Sequence, residues 1–315
     1  MEKTASDLGE YSTNLPDGRK ISVFLNRKYG FGRPTQTVIY AANIEDGTSF
    51  IVKALAKGVV ERDPNTPSNF RQGYEYQRLL SGTGGVPFVY GVVALPSADN
   101  ERYGYAGYVE QEISGDSLGL DGELGGIYPG WIMDVSPTKA VSIVADVLGT
   151  LDEVHKANII HRDVKPSNIR LEQSMGKAYL VDFKHAVTIE NAPTTEQLDD
   201  TIYKCSYGTS RYSEPRLFQP QEKATPSSDI YAMGLTLFQL LTGIPMNDFL
   251  KKYKGDDTLI DFITSARFKQ KILQELWMSK RGIKDSSTNV VMKAIDADPR
   301  KRYQTAGEMR SALTA

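Results

Sequence analysis

Polar and apolar residues alternate over Ile21, Val23 and Leu25, and two further apolar runs, 37–42 and 49–55, flank Glu45-Asp46-Gly47. A period of two predicts strands, and Asp-Gly between apolar runs predicts a hairpin. Pro67-Ser68 then opens a helical stretch holding Phe70, Tyr74 and Leu79, closed near Ser81-Gly82 and followed by extended segments around 86–93 and 105–113. The pattern changes after Ser114-Gly115. Ser136-Pro137 is an N-cap with proline at the first helical position, and Val141, Val144, Leu148 and Leu151 recur at helical spacing up to His155. The stretch 229–242 is apolar nearly all round and stops at Gly243, which predicts a buried central helix. Thr305 to Glu308 is a capping-box pattern opening a last helix with Ala306, Met309 and Leu313. Residues 1–18 carry no period and read as a short arm. The division is therefore 1–18 arm, 19–113 strand-rich lobe with one main helix, and 114–315 larger, mainly helical lobe.

Composition narrows the class. With 40% hydrophobic and 24% charged residues, the chain is neither disordered, collagen-like nor a coiled coil. A net charge of −2 gives no sign of a nucleic-acid or membrane-surface partner. No apolar run approaches the roughly 18 residues of a membrane helix, and the polar, acidic start lacks the features of a secretion signal. The single cysteine, Cys205, excludes an intramolecular disulfide framework and a Cys-rich zinc site, and fits a reducing cytoplasm.

The candidate chemistry lies in the loop His161-Arg162-Asp163-Val164-Lys165-Pro166-Ser167-Asn168, which follows apolar Ile159-Ile160, and in Asp182-Phe183, which ends the apolar Tyr179-Leu180-Val181. On its own each reads as a polar loop beside a strand. Together and in this order they resemble the H-R-D-L-x-x-x-N catalytic loop and D-F-G metal-binding segment of the eukaryotic-type serine/threonine protein kinases.

That resemblance implies an α+β bilobal protein-kinase-like fold with ATP between the lobes. It implies that Asp163 accepts or orients the proton of an attacking hydroxyl, and that Asn168 and Asp182 hold Mg²⁺, with Mn²⁺ as a substitute. Lys165 resembles the lysine that serine/threonine kinases place near the transferred phosphate. Lys53, ending Phe50-Ile51-Val52-Lys53, matches the V-A-I-K position, and Glu75 on the predicted helix is its implied ion-pair partner, with Leu79 on a related, inward face. Gly208-Thr209 resembles the start of the substrate-docking segment, with Thr209 contacting Asp163 and Lys165. Ser228-Asp229 resembles the opening of the central helix, with Asp229 anchoring the catalytic loop. Asp298-Pro299-Arg300-Lys301-Arg302 matches the D-P-x-x-R pattern. Gly30, Gly32 and Val38 fall in the glycine-loop region, Glu110 near the gate of the adenine pocket, and Glu112 and Ile113 in the hinge. Arg162 resembles the arginine that binds an activating phosphate, and Thr201, Tyr203 and Ser206 are the nearby acceptors, Cys205 standing where a phosphorylated threonine is common.

The chain also departs from the pattern. The glycine loop lacks its third glycine and contains Pro34, which has no N–H to offer a phosphate. Lys184 replaces the glycine after Phe183, bringing a cation near the metal segment. Arg216 stands where an acid normally pairs with Arg302, and Glu214 is the expected replacement. His155 is expected to cap the end of its helix, His185 shows no metal-ligand spacing, and Trp131 and Trp277 read as packing residues. The stretch 119–135 has no counterpart in the family.

These readings imply an ATP-dependent serine/threonine protein kinase acting on a protein hydroxyl, including its own. The substrate and oligomeric state are not specified. The alternative is a pseudokinase serving as a nucleotide-binding scaffold, marked by the altered glycine loop, Lys184 and Arg216. A small-molecule kinase of the aminoglycoside-phosphotransferase type is disfavoured by Lys165, Gly208-Thr209 and Asp229. With nearly the whole chain absorbed by a kinase fold, regulation is expected from the activation segment, the N-terminal arm or a separate partner.

Overall fold

The computed structural model describes residues 11–24, 37–44, 47–55, 66–95, 105–115, 118, 135–174, 176–194 and 210–315. They divide into two compact units, the first running to Gly82 and resuming over Val86–Ile113, the second taking in Thr83–Gly85 and most of the chain from Ser114 on.

Among the described residues, the first unit is a six-stranded antiparallel sheet with one helix. Its strands are β1 (Tyr11–Asn14), β2 (Lys20–Phe24), β3 (Thr37–Ile44), β4 (Ser49–Leu55), β5 (Val89–Leu95) and β6 (Tyr105–Gln111), ordered β1-β2-β3-β4-β6-β5. The residues read as a structureless arm thus supply an edge strand, and Leu15 beyond it is buried in the core. The hairpin between β3 and β4 closes with Gly47 at φ +86°, a left-handed conformation that glycine adopts freely.

Alternation sends Val23, Phe50, Val52, Val93 and Val109 into one core. It sends Ile51, Lys53, Tyr108 and Glu110 to the opposite face, because the register pairs Lys53 with Tyr108 and Ile51 with Glu110. Helix α1 (Thr66–Leu80) carries Phe70 and Tyr74, whose rings lie 5.3 and 5.4 Å from that of Tyr108.

The second unit is mainly helical: α2 (Pro137–Lys156), α3 (Pro226–Thr242), α4 (Met246–Tyr253), α5 (Leu259–Thr264), α6 (Ala266–Met278), α7 (Asp285–Ala294) and α8 (Ala306–Thr314). The predicted caps form: Ser136 Oγ accepts from Lys139 N at 3.2 Å and Thr305 Oγ1 from Glu308 N at 3.0 Å. Helix α3 is buried from Ser228 to Thr242 and ends at Gly243 with φ +75°, as its all-round apolar pattern requires. Phe249 of α4 meets Phe238, Phe262 and Phe268 at centroid distances of 5.3, 6.3 and 5.9 Å, tying α3 to α4, α5 and α6.

Two short antiparallel pairs frame the polar loop. Strand β7 (Ile159–Ile160) pairs with β10 (Val187–Thr188), and β8 (Ile169–Leu171) with β9 (Ala178–Leu180). Trp277 is 70% exposed, so it packs into no core of this unit.

Candidate active site

The loop between β7 and β8 is held from below by Asp229. Its two oxygens accept the backbone N–H of His161 at 2.9 Å and of Arg162 at 2.8 Å, and His155 Nε2 lies 2.9 Å from the first of them. Burial opposes the ionised form of Asp229, but its hydrogen bond to His155 and the other donors outweigh it, so the carboxyl sits below its ordinary range. His155 is therefore a clamp on this aspartate rather than the helix cap expected of it. The bond joins residues far apart in sequence, and no local spacing signals it.

His161 connects loop to strand. Its Nδ1 lies 3.3 Å from Asp163 N and its Nε2 3.2 Å from Val181 O, so the tautomer protonated at Nε2 satisfies both. Its ring meets the buried Phe183 at 4.8 Å, edge to face. Val181 N in turn donates to Asn168 O at 2.9 Å, which places Asn168 beside the segment carrying Asp182.

Asp163 is 4% exposed. Asn168 Nδ2 donates both to its carbonyl at 2.7 Å and to Oδ2 at 2.8 Å, and Lys165 Nζ lies 3.3 Å from Oδ2. Burial pushes the carboxyl up, but Lys165, His185 and Lys184 together draw it below the usual range, so Asp163 is a carboxylate at neutral pH. His185 is pushed down to about 4, chiefly by burial against the attraction of Asp163, and is neutral there. Arg162 and Asp182 adopt φ of +67° and +68° without being glycine, backbone strain of the kind concentrated at functional sites.

A divalent cation would find hard oxygen donors here. Asn168 spends its amide nitrogen on Asp163 and keeps its carbonyl oxygen as a donor, and Asp182 offers a partly exposed carboxylate. That donor set fits a hard ion. Lys184 Nζ lies 3.0 Å from Asp182 Oδ2, so the lysine does bring its charge to this carboxylate. The strained φ belongs to Asp182, while Lys184 sits in an ordinary 3₁₀ turn, Phe183–His185.

A small hollow, open to solvent, is lined by Arg162, Asp163, Tyr212, Ser213, Glu214 and Asp229, among others. Its floor is stapled by charge. Arg302 and Glu214 form an ion pair with no side-chain exposure on either partner. Arg216 Nε lies 2.9 Å from Glu214 Oε2 and its guanidinium also meets Glu222. Ser228 Oγ donates to Glu214 and accepts from Thr225 N at 2.9 Å. Glu214 thus supplies the acid missing at position 216, and the two arginines share it instead of repelling.

In the first unit the geometry differs from the spacing argument. Lys53 Nζ lies 2.8 Å from Glu110 Oε1, with both side chains buried. Glu75 is exposed and pairs with Arg78 of its own helix at 3.0 Å, and Leu79 is 66% exposed. The expected Lys53–Glu75 pair is not formed, because the helix turns Gly73, Gln77 and Leu80 inward and Glu75 and Leu79 outward. Gln77 was not anticipated; the demand of a buried carboxylate for a second donor is the signal that points to it. Ile113 is buried and Glu112 half-buried just beyond β6. Val38 lies in β3 opposite Ala54. Gly30, Gly32, Thr201, Tyr203, Ser206 and Thr209 lie outside the described residues.

A model of the protein kinase domain matches residues 120–313. The chain belongs to the protein kinase domain family. It is 29% identical over 286 residues to the serine/threonine-protein kinase PknB of Mycobacterium leprae, covering 90% of this chain and 41% of that protein. It is 34% identical over 181 residues to PknE of Mycobacterium tuberculosis and 33% over 178 residues to PknH of Mycobacterium bovis, both serine/threonine-protein kinases, covering 58% and 56% of this chain but 29% and 27% of theirs. The chain spans less than half the length of each of these curated relatives. Kinase domains use ATP with a divalent metal in general. No helix among the described residues is long and apolar enough to cross a membrane.

Proposed function

We propose that this chain is a serine/threonine protein kinase that moves the γ-phosphoryl group of ATP to a protein hydroxyl, with Mg²⁺ as its ion and Mn²⁺ as a substitute. The observation that carries this reading is the Asp163–Lys165–Asn168 cluster: a buried, ionised carboxylate held by an amide and flanked by an ammonium.

The chemistry asks little covalent work of the protein. The acceptor oxygen forms a bond to the γ-phosphorus as the bond to the β–γ bridging oxygen breaks, and ADP leaves with that electron pair. Asp163 orients the acceptor O–H and takes its proton. Lys165 offsets negative charge on the transferring group, and Lys53 contacts the α- and β-phosphates. Asn168 and Asp182 would hold a divalent cation, whose chemistry there would be positive charge against the phosphates. The backbone of Glu112 and Ile113 is assigned to adenine, Gly30, Gly32 and Val38 to the nucleotide, and Thr209 to the acceptor. Arg162 is assigned to an activating phosphate on Thr201, Tyr203 or Ser206. The single cysteine supports a reducing, cytoplasmic setting.

The test is transfer from γ-labelled ATP with magnesium to the chain itself and to a generic acceptor protein, against Asp163→Ala. We expect transfer in the wild type and a fall of about 10²–10⁴-fold in the variant, the range for losing a general base. Equal transfer by both would remove Asp163 from the mechanism.

A further inference from the structure

Lys53 has the wrong partner for the spacing along the chain and a good one for the geometry. Lys53 and Glu110 sit on adjacent strands and the same face of one sheet, a diagonal cross-strand pair with Nζ and Oε1 2.8 Å apart. The second oxygen, Oε2, accepts from Gln77 Nε2 at 2.6 Å, and the same nitrogen lies 3.4 Å from Pro87 O. Glu110 is 2% exposed and Gln77 fully buried. A charge buried this deeply is costly unless both oxygens are satisfied, and here both are.

Gln77 itself is not satisfied, since its Oε1 is buried with no partner among the described residues. A leucine would fill this helix face without that cost. The amide is therefore explained by what its nitrogen does for Glu110.

The helix offers no competing acid in this arrangement. Gly73 and Gln77 are one turn apart on the buried face, whereas Glu75 lies about half a turn round from both, out with Arg78. Bringing Glu75 inward would take Gln77 from Glu110 and unstack Phe70 and Tyr74 from Tyr108.

We propose that Glu110, oriented by Gln77, is the residue that positions Lys53 toward the nucleotide phosphates. The acid is supplied by the sheet instead of by helix α1. Backbone hydrogen bonds between β4 and β6 fix the spacing of the pair, and helix α1 contributes the amide that orients the acid. Glu110 is then a positioning residue for phosphate binding and not a wall of the adenine pocket.

This inference rests on the kinase reading, and binding separates the two. ATP with magnesium, and adenosine alone, are titrated by calorimetry into the wild-type chain and the Glu110→Gln variant. The expected result is a loss of about tenfold or more in ATP affinity, the scale of one charge-assisted hydrogen bond, with adenosine affinity held within about twofold. ATP and adenosine affinity falling together would make Glu110 part of the base pocket and overturn the proposal, as would no change in either. Loss of ATP affinity in Glu75→Gln but not in Glu110→Gln would overturn it too. If Glu110→Gln does not fold, Gln77→Leu leaves the ion pair in place and is expected to weaken ATP in the same direction by about threefold; unchanged ATP affinity there would overturn the proposal. A wild type that binds neither nucleotide overturns the kinase reading and this inference with it, a result distinct from a loss confined to the variants.

Discussion

Asp229 touches none of the residues assigned to phosphate transfer by its own chemistry, yet two backbone N–H groups and a histidine converge on it. Its carboxyl is held below the ordinary value near 4, so its ionised form is the stabilising one. That contribution is fully present above about pH 4 and is lost as pH falls through the lower folded value. Asp229→Asn leaves the loop amides facing an amide and removes a buried partner from His155. The expected cost at pH 7 is about 3–5 kcal/mol by chemical denaturation, with the gap to wild type narrowing below about pH 4. A gap that stays constant down to pH 2 would show that the carboxylate's charge is not what holds the loop. At this scale the sequence was informative about which polar residues come together: Asn168 donates to Asp163, and the bond from Val181 N–H to Asn168 O sets it beside Asp182. His155 was not legible, because its partner is supplied by a helix that folds against it from a distant part of the chain.

Helix α3 depends on what is fastened to its first turn. Glu214 accepts from Ser228, pairs with the buried Arg302 and meets Arg216, so one carboxylate ties the hollow's floor, the helix start and the Pro299–Lys301 turn region together. Breaking a buried pair strands a charge. Glu214→Gln is expected to cost about 3–5 kcal/mol in denaturant unfolding, whereas Glu214→Gln with Arg302→Met should cost clearly less than the two single changes added. Additive losses would mean the two residues act independently. The exchange of acid and base between positions 214 and 216 could be read from the sequence, since two arginines competing for one place require an acid nearby. The phase of α1 was harder. Glu75 and Leu79 suggested an inward face, but Phe70, Tyr74 and Gln77 set the actual one, and the deciding partner, Tyr108, lies on another strand. Helical period gives a stripe, and only the tertiary neighbour decides which stripe is covered.

Across the whole chain the same device recurs. Two basic residues that the family resemblance pairs with acids elsewhere meet different ones in the structure: Glu110 for Lys53, Glu214 for Arg302. Strands, helix caps and the buried helix were legible because each is dictated by local period and capping chemistry. The edge strand Tyr11–Asn14 was not, since four residues carry too short a period to stand out and its reason for being extended is the neighbour it pairs with. For position 216 the changed address removes the objection that two cations would repel, because Glu214 pairs with both Arg216 and Arg302. The most direct measurement is mass-spectrometric mapping of phosphate on the chain after incubation with ATP and magnesium, in the wild type and in Asp163→Asn. The account predicts phosphoserine and phosphothreonine in the wild type and their absence from the variant. Phosphate confined to tyrosine, or a wild type without phosphate on itself or on an added acceptor protein, would contradict it.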